Sequence, residues 1–132
     1  MLDLIMCIDD DPITQMLIKK VVQKACFSKE IINAQNGEEA LEILYKLKDN
    51  SKEALIPQLI FLDLNMPVMG GWEFLDFFIT SNYSDTNSTK VIILTSTIDP
   101  MDKEKSETYQ NVIAFQSKPI TVEMLEYIRS LL

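Results

Sequence analysis

Five short apolar runs, each followed by a segment with helical spacing, constrain the fold of this chain more than any other feature. The runs are short and mainly apolar rather than regularly alternating with polar residues, which is typical of strands in a parallel sheet that is covered on both faces. We therefore predict one doubly wound α/β domain built from five β-strand–α-helix units. The predicted strands are Leu2–Ile8, Lys29–Ala34, Gln58–Leu62, Val91–Leu94 and Val112–Phe115.

The predicted helices begin where capping residues precede an apolar helical pattern. Asp11 and Pro12 suit the N-cap and the first position of the first helix, and Thr121 suits the N-cap of the last. The intervening helices are expected at Glu38–Lys48, at Gly71–Ile79 and from Asp99 to about Tyr109. We find no internal repeat or linker, so residues 1–132 are expected to form a single domain.

The net charge of −8 argues against several classes of partner. Acidic surfaces repel phosphate backbones and anionic membranes, so we expect no nucleic-acid partner and no membrane partner, whereas a cation or a basic protein surface would be attracted. No apolar run is long enough to span a membrane, and no basic segment precedes the first apolar residues, so neither a membrane helix nor a signal peptide is predicted. A cytoplasmic location is expected.

The cysteines and the missing histidine restrict the chemistry further. Cys7 and Cys26 lack the spacing of a metal-binding pair, and we interpret both as packing residues in a reducing compartment. The chain contains no histidine. It therefore cannot contain a Ser-His triad or a histidine-ligated zinc, and it cannot itself be a histidine phosphodonor.

Polar side chains collect at the carboxyl ends of the predicted strands. Asp9 and Asp10 follow the first strand, Asp63 the third, Thr95 the fourth and Lys118 the fifth. All carboxyl ends lie at one edge of a parallel sheet, so these residues become neighbours. Three carboxylates in one pocket repel one another unless a cation neutralises them, and a ligand set made only of oxygen favours a hard ion such as Mg²⁺.

A carboxylate in such a pocket can attack phosphorus and form an acyl phosphate, while an ammonium and a hydroxyl stabilise the charge on the phosphoryl oxygens. Each residue also has an ordinary structural interpretation. Asp63 could cap a turn, Asp9 and Asp10 could be solvated, Lys118 could lie on the surface, and Thr95 could be a strand-end hydroxyl. Their joint occurrence, each at the end of a different strand, favours the functional interpretation.

The motifs Asp9-Asp10, Leu62-Asp63-Leu64-Asn65-Met66-Pro67, Leu94-Thr95-Ser96 and Lys118-Pro119 resemble, in this order, those of the receiver domain of two-component response regulators. The resemblance covers essentially the whole chain. It implies the flavodoxin-like fold, a five-stranded parallel sheet with strand order 2-1-3-4-5. It also implies a stand-alone receiver over residues 1–132 with no effector domain.

The resemblance further implies a role for each site residue. Asp63 would be the phosphoacceptor. Asp10 would bind Mg²⁺ directly, Asp9 mostly through water, and Asn65 through its backbone carbonyl. Thr95 would bind the phosphoryl group and move with it, Lys118 would pair with a phosphoryl oxygen, and Phe115 corresponds to the aromatic switch residue of the family. The family often has a cis peptide at the position of Lys118–Pro119.

These roles predict a signalling switch with no enzymatic activity beyond self-catalysed phosphoryl transfer and autodephosphorylation. A sensor histidine kinase or a histidine phosphotransfer protein would donate the phosphoryl group, docking on the first helix near Ile13, Gln15 and Met16. The new charge would alter the face formed by the fourth helix, the fifth strand and the fifth helix. Output would pass from this face to a downstream protein, to a second copy in a homodimer, or onward to a phosphotransfer histidine.

Two alternatives belong to other functional classes. A Mg²⁺-dependent aspartyl-phosphate phosphohydrolase usually has a second Asp two residues after the nucleophile, where this chain has Asn65. A phosphorylation-independent interaction module would lack the acceptor or the lysine, and both are present. Asn65 and Thr97 are expected to influence the phosphoryl lifetime. The loops Asp49–Pro57 and Asn82–Thr89 are longer than usual, as in the lone receivers that pair with phytochrome kinases.

Overall fold

Strands and helices alternate along the chain in the computed structural model, which describes residues 1–50, 56–80, 89–96 and 98–132. Thr97, most of the loop from 49 to 57 and nearly all of the loop from 82 to 89 lie outside the described residues. The elements are β1 (Leu2–Ile8), α1 (Pro12–Lys24), β2 (Ser28–Ala34), α2 (Gly37–Asn50), β3 (Leu59–Leu62), α3 (Gly71–Thr80), β4 (Lys90–Thr95), α4 (Pro100–Ser106), β5 (Val112–Ser117) and α5 (Val122–Leu131).

The five strands form one parallel sheet in the order β2-β1-β3-β4-β5, which confirms the predicted flavodoxin-like fold. The pairing register aligns the carboxyl ends of the strands. Ile8 at the end of β1 pairs with both Ala34 of β2 and Leu62 of β3, so the residues that follow these strands emerge side by side. Thr95 of β4 pairs with Ser117 of β5, which brings Lys118 to the same edge.

Each face of the sheet carries its own hydrophobic core. On one face, β1 and β3 pack against Leu44 of α2 and Phe74 of α3. On the other face, the same strands pack against Ile18 of α1 and Leu125 of α5. Full burial of a Leu, Ile or Phe side chain stabilises the folded state by about 1.5–3 kcal/mol. The two cores together therefore hold the central strands β1, β3 and β4, whose tips form the site.

The predicted helix starts agree with the structure to within one residue, whereas two predicted helix ends were wrong. Helix α2 continues to Asn50, two residues beyond its predicted end at Lys48. Asp11 and Thr121 cap α1 and α5 by accepting hydrogen bonds from the backbone N–H groups of Ile13 and Met124. Helix α4 ends at Ser106 and does not continue to Tyr109. The backbone N–H groups of residues 107–109 donate to carbonyls three residues back, so the last turn tightens and the helix stops.

Strand β5 runs two residues beyond its predicted end at Phe115. The sequence changes there from apolar residues to Gln116 and Ser117, which suggested a loop. Both residues nevertheless pair with β4, Gln116 with Leu94 and Ser117 with Thr95. Backbone pairing with the neighbouring strand thus outweighs the polar character of these side chains.

Helix α4 is held to α3 by side chains rather than by a buried apolar face. Its only buried residue among those described is Ser106. The Trp72 indole N–H of α3 donates to Asp102 Oδ1 at 3.3 Å, and Lys105 Nζ lies 4.7 Å from the centroid of a Trp72 ring. Tyr109 stacks on Trp72 with ring centroids 5.5 Å apart. These polar and aromatic contacts leave α4 less firmly anchored than the helices that fill the cores.

Within the described part of the chain, no helix has the length and apolar character needed to cross a membrane.

Candidate functional site

Three carboxylates meet where β1 and β3 end. Asp9, Asp10 and Asp63 each offer one oxygen atom, and these three atoms lie within 4.8 Å of one another. Asp9 and Asp63 are 2% and 7% exposed, whereas Asp10 is exposed. The tertiary structure thus brings together the three acids that the sequence places at the strand ends.

Several bonds fix Asp9 in place. Its backbone N–H donates to the Ala34 carbonyl at 3.0 Å, which continues the pairing between β1 and β2. Its Oδ1 atom accepts from the Asp11 N–H at 2.9 Å, and its Oδ2 atom lies 2.6 Å from Lys118 Nζ. Both oxygens of this buried carboxylate therefore have a partner, as a buried charge requires.

Asp63 follows β3 directly and has weaker side-chain contacts. Its backbone N–H donates to the Ile8 carbonyl at 2.9 Å, while its Oδ1 atom accepts from the Asn65 N–H at 3.5 Å. Gly71, the first residue of α3, lies close to the backbone of Asp63. A Cβ atom at residue 71 would lie 2.7 Å from the Asp63 carbonyl oxygen, so only glycine allows α3 to start so near the acid.

Lys118 links β4, β5 and the acids. Its backbone N–H donates to the Thr95 carbonyl at 2.7 Å, and the Lys118–Pro119 peptide is cis, as the resemblance implied. Its Nζ atom is 2.6 Å from Asp9 Oδ2 and 3.7 Å from Asp63 Oδ2. The ammonium therefore pairs closely with Asp9 and lies within reach of Asp63.

The electrostatics of the site leave Asp63 as the carboxylate in need of a cation. Burial raises the pKa of the Asp63 carboxyl above its ordinary value, and the negative charge of Asp9 raises it further. Lys118 offsets only part of this effect. For Lys118, burial lowers the pKa, but the hydrogen bond and the attraction from Asp9 outweigh burial, so the net pKa is raised. The lysine therefore keeps its charge.

Thr95 lies at this edge of the sheet, and Phe115 lies two residues before the end of the neighbouring strand β5. Thr95 is the last residue of β4 and is 2% exposed. Phe115 lies on β5 and is half-buried. Phe115 also lines a cavity of about 180 Å³ between α4 and β5. A half-buried aromatic ring beside such a cavity has room to change its position.

Gln15 differs from the sequence-based expectation. It was expected on the docking surface of α1, but its side chain is half-buried and its Nε2 atom donates to the Asp9 carbonyl at 2.7 Å. The sequence signal for this role is weak, because a glutamine on a polar helix face is ordinary. Ile13 and Met16 are exposed, as a docking surface requires.

The three acids form a group that could hold a metal ion. The three carboxylates supply only oxygen ligands, and a hard cation that retains several waters needs one or two of them. Asp10 is the exposed acid of the three. It can approach an ion without giving up protein contacts such as those that hold Asp9. Burial is the main cause of the raised pKa of Asp63, and the negative charge of Asp9, which also attracts a cation, raises it further.

The loop between β3 and α3 contains a strained residue. Val68 has φ 67°, in the left-handed region that β-branched residues avoid, and its side chain is 74% exposed. Because so little of the side chain is buried, its packing offsets little of the backbone strain.

Replacing Val68 with asparagine is expected to stabilise the protein by about 1 kcal/mol, because asparagine tolerates the left-handed conformation. The midpoint of thermal unfolding would rise by roughly 3–5 °C, as measured by circular dichroism. Val68→Ala serves as the control. It removes the branched side chain but keeps Cβ, so its gain should be smaller. An asparagine variant less stable than the wild type would show that the valine side chain stabilises the fold despite its exposure.

Comparisons with known proteins identify the family of this chain. A family model described as "Response regulator receiver domain" matches residues 5–128. The nitrate/nitrite response regulator protein NarL of Escherichia coli (strain K12) is 39% identical over 72 residues, which are 54% of this chain and 30% of NarL. The chain thus matches less than a third of the length of this curated relative.

Two solved structures are similar over nearly the whole chain. A two component response regulator from Cytophaga hutchinsonii is 30% identical with a TM-score of 0.90, covering 98% of this chain and 96% of that one. The bacteriophytochrome response regulator RtBRR is 28% identical with a TM-score of 0.77, covering 99% of this chain and 76% of that one. Sequence, fold and site agree, and the chain belongs to the response regulator receiver domain family.

Proposed function

We propose that the chain is a phosphoacceptor signalling switch in which Asp63 takes a phosphoryl group from a phosphohistidine of a sensor histidine kinase or a histidine phosphotransfer protein. The observation that carries the proposal is the state of Asp63. It is a buried carboxylate with a raised pKa, next to two further acids and one lysine ammonium. Such a carboxylate is stabilised when a cation binds beside it and a phosphoryl group is transferred to it.

The reaction needs few changes in the protein. A carboxylate oxygen of Asp63 attacks the phosphorus atom, the bond from phosphorus to the donor's imidazole nitrogen breaks, and that nitrogen keeps the electron pair. The product is an acyl phosphate on Asp63. Lys118 Nζ, already 3.7 Å from Asp63 Oδ2, can pair with a phosphoryl oxygen while it remains near Asp9. The Thr95 hydroxyl, at the end of the adjacent strand, can donate to another.

Asp9, Asp10 and Asp63 would hold Mg²⁺, with the backbone carbonyl of Asn65 as a further ligand. When bound, the ion supplies positive charge that balances the acids and the phosphoryl oxygens. The exposed side chain of Asn65 lies two residues beyond the acceptor. It is an amide and cannot act as a general acid, which favours a long-lived acyl phosphate over rapid turnover of phosphate esters.

The output face consists of α4, β5 and α5. Among its described residues, α4 buries only Ser106 and is attached through Trp72, so a small change in free energy can shift it. Movement of Thr95 towards the phosphoryl group would open space at the end of β4, and Phe115 can move because it borders the cavity between α4 and β5. Phosphorylation would thus bias α4 between two positions that a downstream protein or a second copy distinguishes.

The donor protein would dock on α1 beside the acids. Ile13, Met16 and Leu17 are 63%, 48% and 42% exposed on this helix, which gives an apolar surface next to the site. The similarity to RtBRR, a bacteriophytochrome response regulator, makes a phytochrome-type histidine kinase one candidate donor.

The proposal is tested by binding of Mg²⁺ and of BeF₃⁻, a stable mimic of the phosphoryl group, followed by backbone amide chemical shifts. In the wild type, both should cause saturable shifts at the strand tips, and BeF₃⁻ should also shift residues of α4 and β5. In Asp10→Ala, the affinity for Mg²⁺ should fall about tenfold or more, because a direct carboxylate ligand is lost.

Asp3→Ala is the matched control for Asp10→Ala. Asp3 is an exposed aspartate at the opposite end of β1, where it pairs with Lys29 at 3.1 Å. Its replacement removes the same charge from the end of β1 that is remote from the site, and it should leave Mg²⁺ affinity nearly unchanged. Equal affinities in the wild type and in Asp10→Ala would argue against the acid cluster as the ion site.

A further inference from the structure

The side-chain amide of Gln15 joins the ends of two strands behind the acid cluster. Its Nε2 atom donates to the Asp9 carbonyl at 2.7 Å and to the Ala34 carbonyl at 3.3 Å. A carboxamide NH₂ has two hydrogens, so one group can make both bonds. The Ala34 carbonyl also accepts from the Asp9 N–H at 3.0 Å. Gln15 thereby links Ala34, the last residue of β2, to Asp9, the residue that follows β1.

The Asp9 carbonyl belongs to the peptide group that connects Asp9 with Asp10. A peptide group is planar, so a bond to its oxygen restrains the orientation of the whole unit, including the backbone nitrogen and Cα of Asp10. Asp9 is also held through its side chain by Asp11 and Lys118. The carboxylate of Asp10 is exposed, and its position depends mainly on its backbone. Gln15 is therefore well placed to orient Asp10.

Helix capping does not explain this contact. The Asp11 side chain already caps α1 by accepting from the Ile13 N–H at 2.9 Å. The backbone N–H of Gln15 donates to the Asp11 carbonyl at 3.1 Å, so the helix needs nothing from the Gln15 side chain. The amide is directed towards the strand ends, where mutual repulsion of the acids would otherwise spread the loop.

We infer that Gln15 is a positioning residue for the divalent-cation site, which it supports by holding the Asp9–Asp10 peptide against the end of β2. The inference rests on the proposed function, because it concerns the same cation site. Gln15 acts through Asp10 and does not contact the ion. Groups that orient metal ligands in this way typically change metal affinity by 10–100-fold when they are removed.

The test compares Gln15→Met with Gln23→Met in the full chain. Methionine is similar to glutamine in length and helix propensity but cannot donate, and Gln23 is an exposed glutamine on the same helix. Mg²⁺ alone is titrated while backbone amide shifts are recorded at a temperature where both variants are folded. Affinity should fall about tenfold in Gln15→Met and stay at the wild-type value in Gln23→Met. Urea unfolding without Mg²⁺ gives the stability of each variant.

A drop in stability with unchanged Mg²⁺ affinity would overturn the inference, because Gln15 would then be only a structural residue. If Gln15→Met does not fold, Gln15→Asn replaces it. Asparagine keeps the amide on a shorter side chain that cannot reach both carbonyls, and wild-type affinity in that variant would likewise overturn the inference.

Failure of the proposed function has a different signature. A wild-type protein that binds Mg²⁺ but is not labelled by acetyl phosphate would contradict the phosphoacceptor proposal, while the Gln15 comparison would still decide the positioning role. Absence of saturable Mg²⁺ binding in the wild type would overturn both.

Discussion

Asp63→Asn is expected to abolish formation of the acyl phosphate. The amide that replaces the carboxylate has no anionic oxygen to attack phosphorus, while its size is nearly conserved. The measurement is the intact mass of the protein after incubation with acetyl phosphate and Mg²⁺, with Asp3→Asn as the control that should be labelled like the wild type. Undiminished labelling of Asp63→Asn would mean that another acid, such as Asp9 or Asp10, is the acceptor.

The same variant gives an independent readout without phosphate or Mg²⁺. Burial and the charge of Asp9 raise the pKa of Asp63 in the folded state above 3.8, its ordinary value. The ionised form is thus less stable in the folded protein than in the unfolded chain, and this cost is present at pH values above the folded-state pKa. Asp63→Asn should therefore be more stable than the wild type at neutral pH.

This difference should disappear as the pH falls below 3.8, where Asp63 is protonated in both states. Urea unfolding at a series of pH values measures it. With Mg²⁺ at neutral pH, the wild type should become more stable than Asp63→Asn, because the ion stabilises the wild type more than the variant. A wild type more stable than Asp63→Asn without Mg²⁺ would show that Lys118 compensates the charge of Asp63 more fully than its 3.7 Å distance suggests.

Lys118→Met is expected to slow phosphorylation by about 10²–10³-fold, which is the usual effect of removing one group that stabilises transition-state charge. The rate is measured with acetyl phosphate at saturating Mg²⁺. Asp63 remains intact in this variant, so slow labelling should still reach the same final mass. A wild-type rate would exclude Lys118 from contact with the phosphoryl group.

Lys118→Met should also destabilise the protein by about 3 kcal/mol, because Asp9 is 2% exposed and would lose the ammonium that lies 2.6 Å from it. The raised pKa of Lys118 means that its contribution to stability is present below the ordinary lysine pKa of 10.5 and is lost as the pH rises through the folded-state value. Lys29→Met is the control. Its partner Asp3 is exposed, so the loss should be within about 1 kcal/mol.

The fold could be predicted because its signals are local and repeated. Each apolar run had the length of a strand, and each following helix had a recognisable start, such as Asp11 with Pro12 or Thr121. The end of α4 could not be predicted in the same way. The helix was predicted to reach about Tyr109, but the Tyr109 ring stacks on Trp72, and that contact joins residues far apart in the sequence.

The acids of the site could be predicted because strand order alone brings them together. Asp9, Asp10 and Asp63 follow β1 and β3, and these strands are neighbours in the sheet, so their proximity requires only the register. The sequence did not indicate which acid Lys118 would approach most closely. That choice depends on side-chain placement in the folded protein, where Lys118 Nζ lies 2.6 Å from Asp9 Oδ2 and 3.7 Å from Asp63 Oδ2.

By itself, the sequence determined which residue types reach the edge of the sheet, because apolar runs and capping residues set the strands and the points where they end. Only the tertiary structure decided how the acids differ. Asp9 is neutralised by Lys118, Asp63 is buried with little compensation, and Asp10 stays exposed on a peptide that Gln15 holds. Charges interact through space over a few ångströms, and these distances arise only when the strands and α1 have packed.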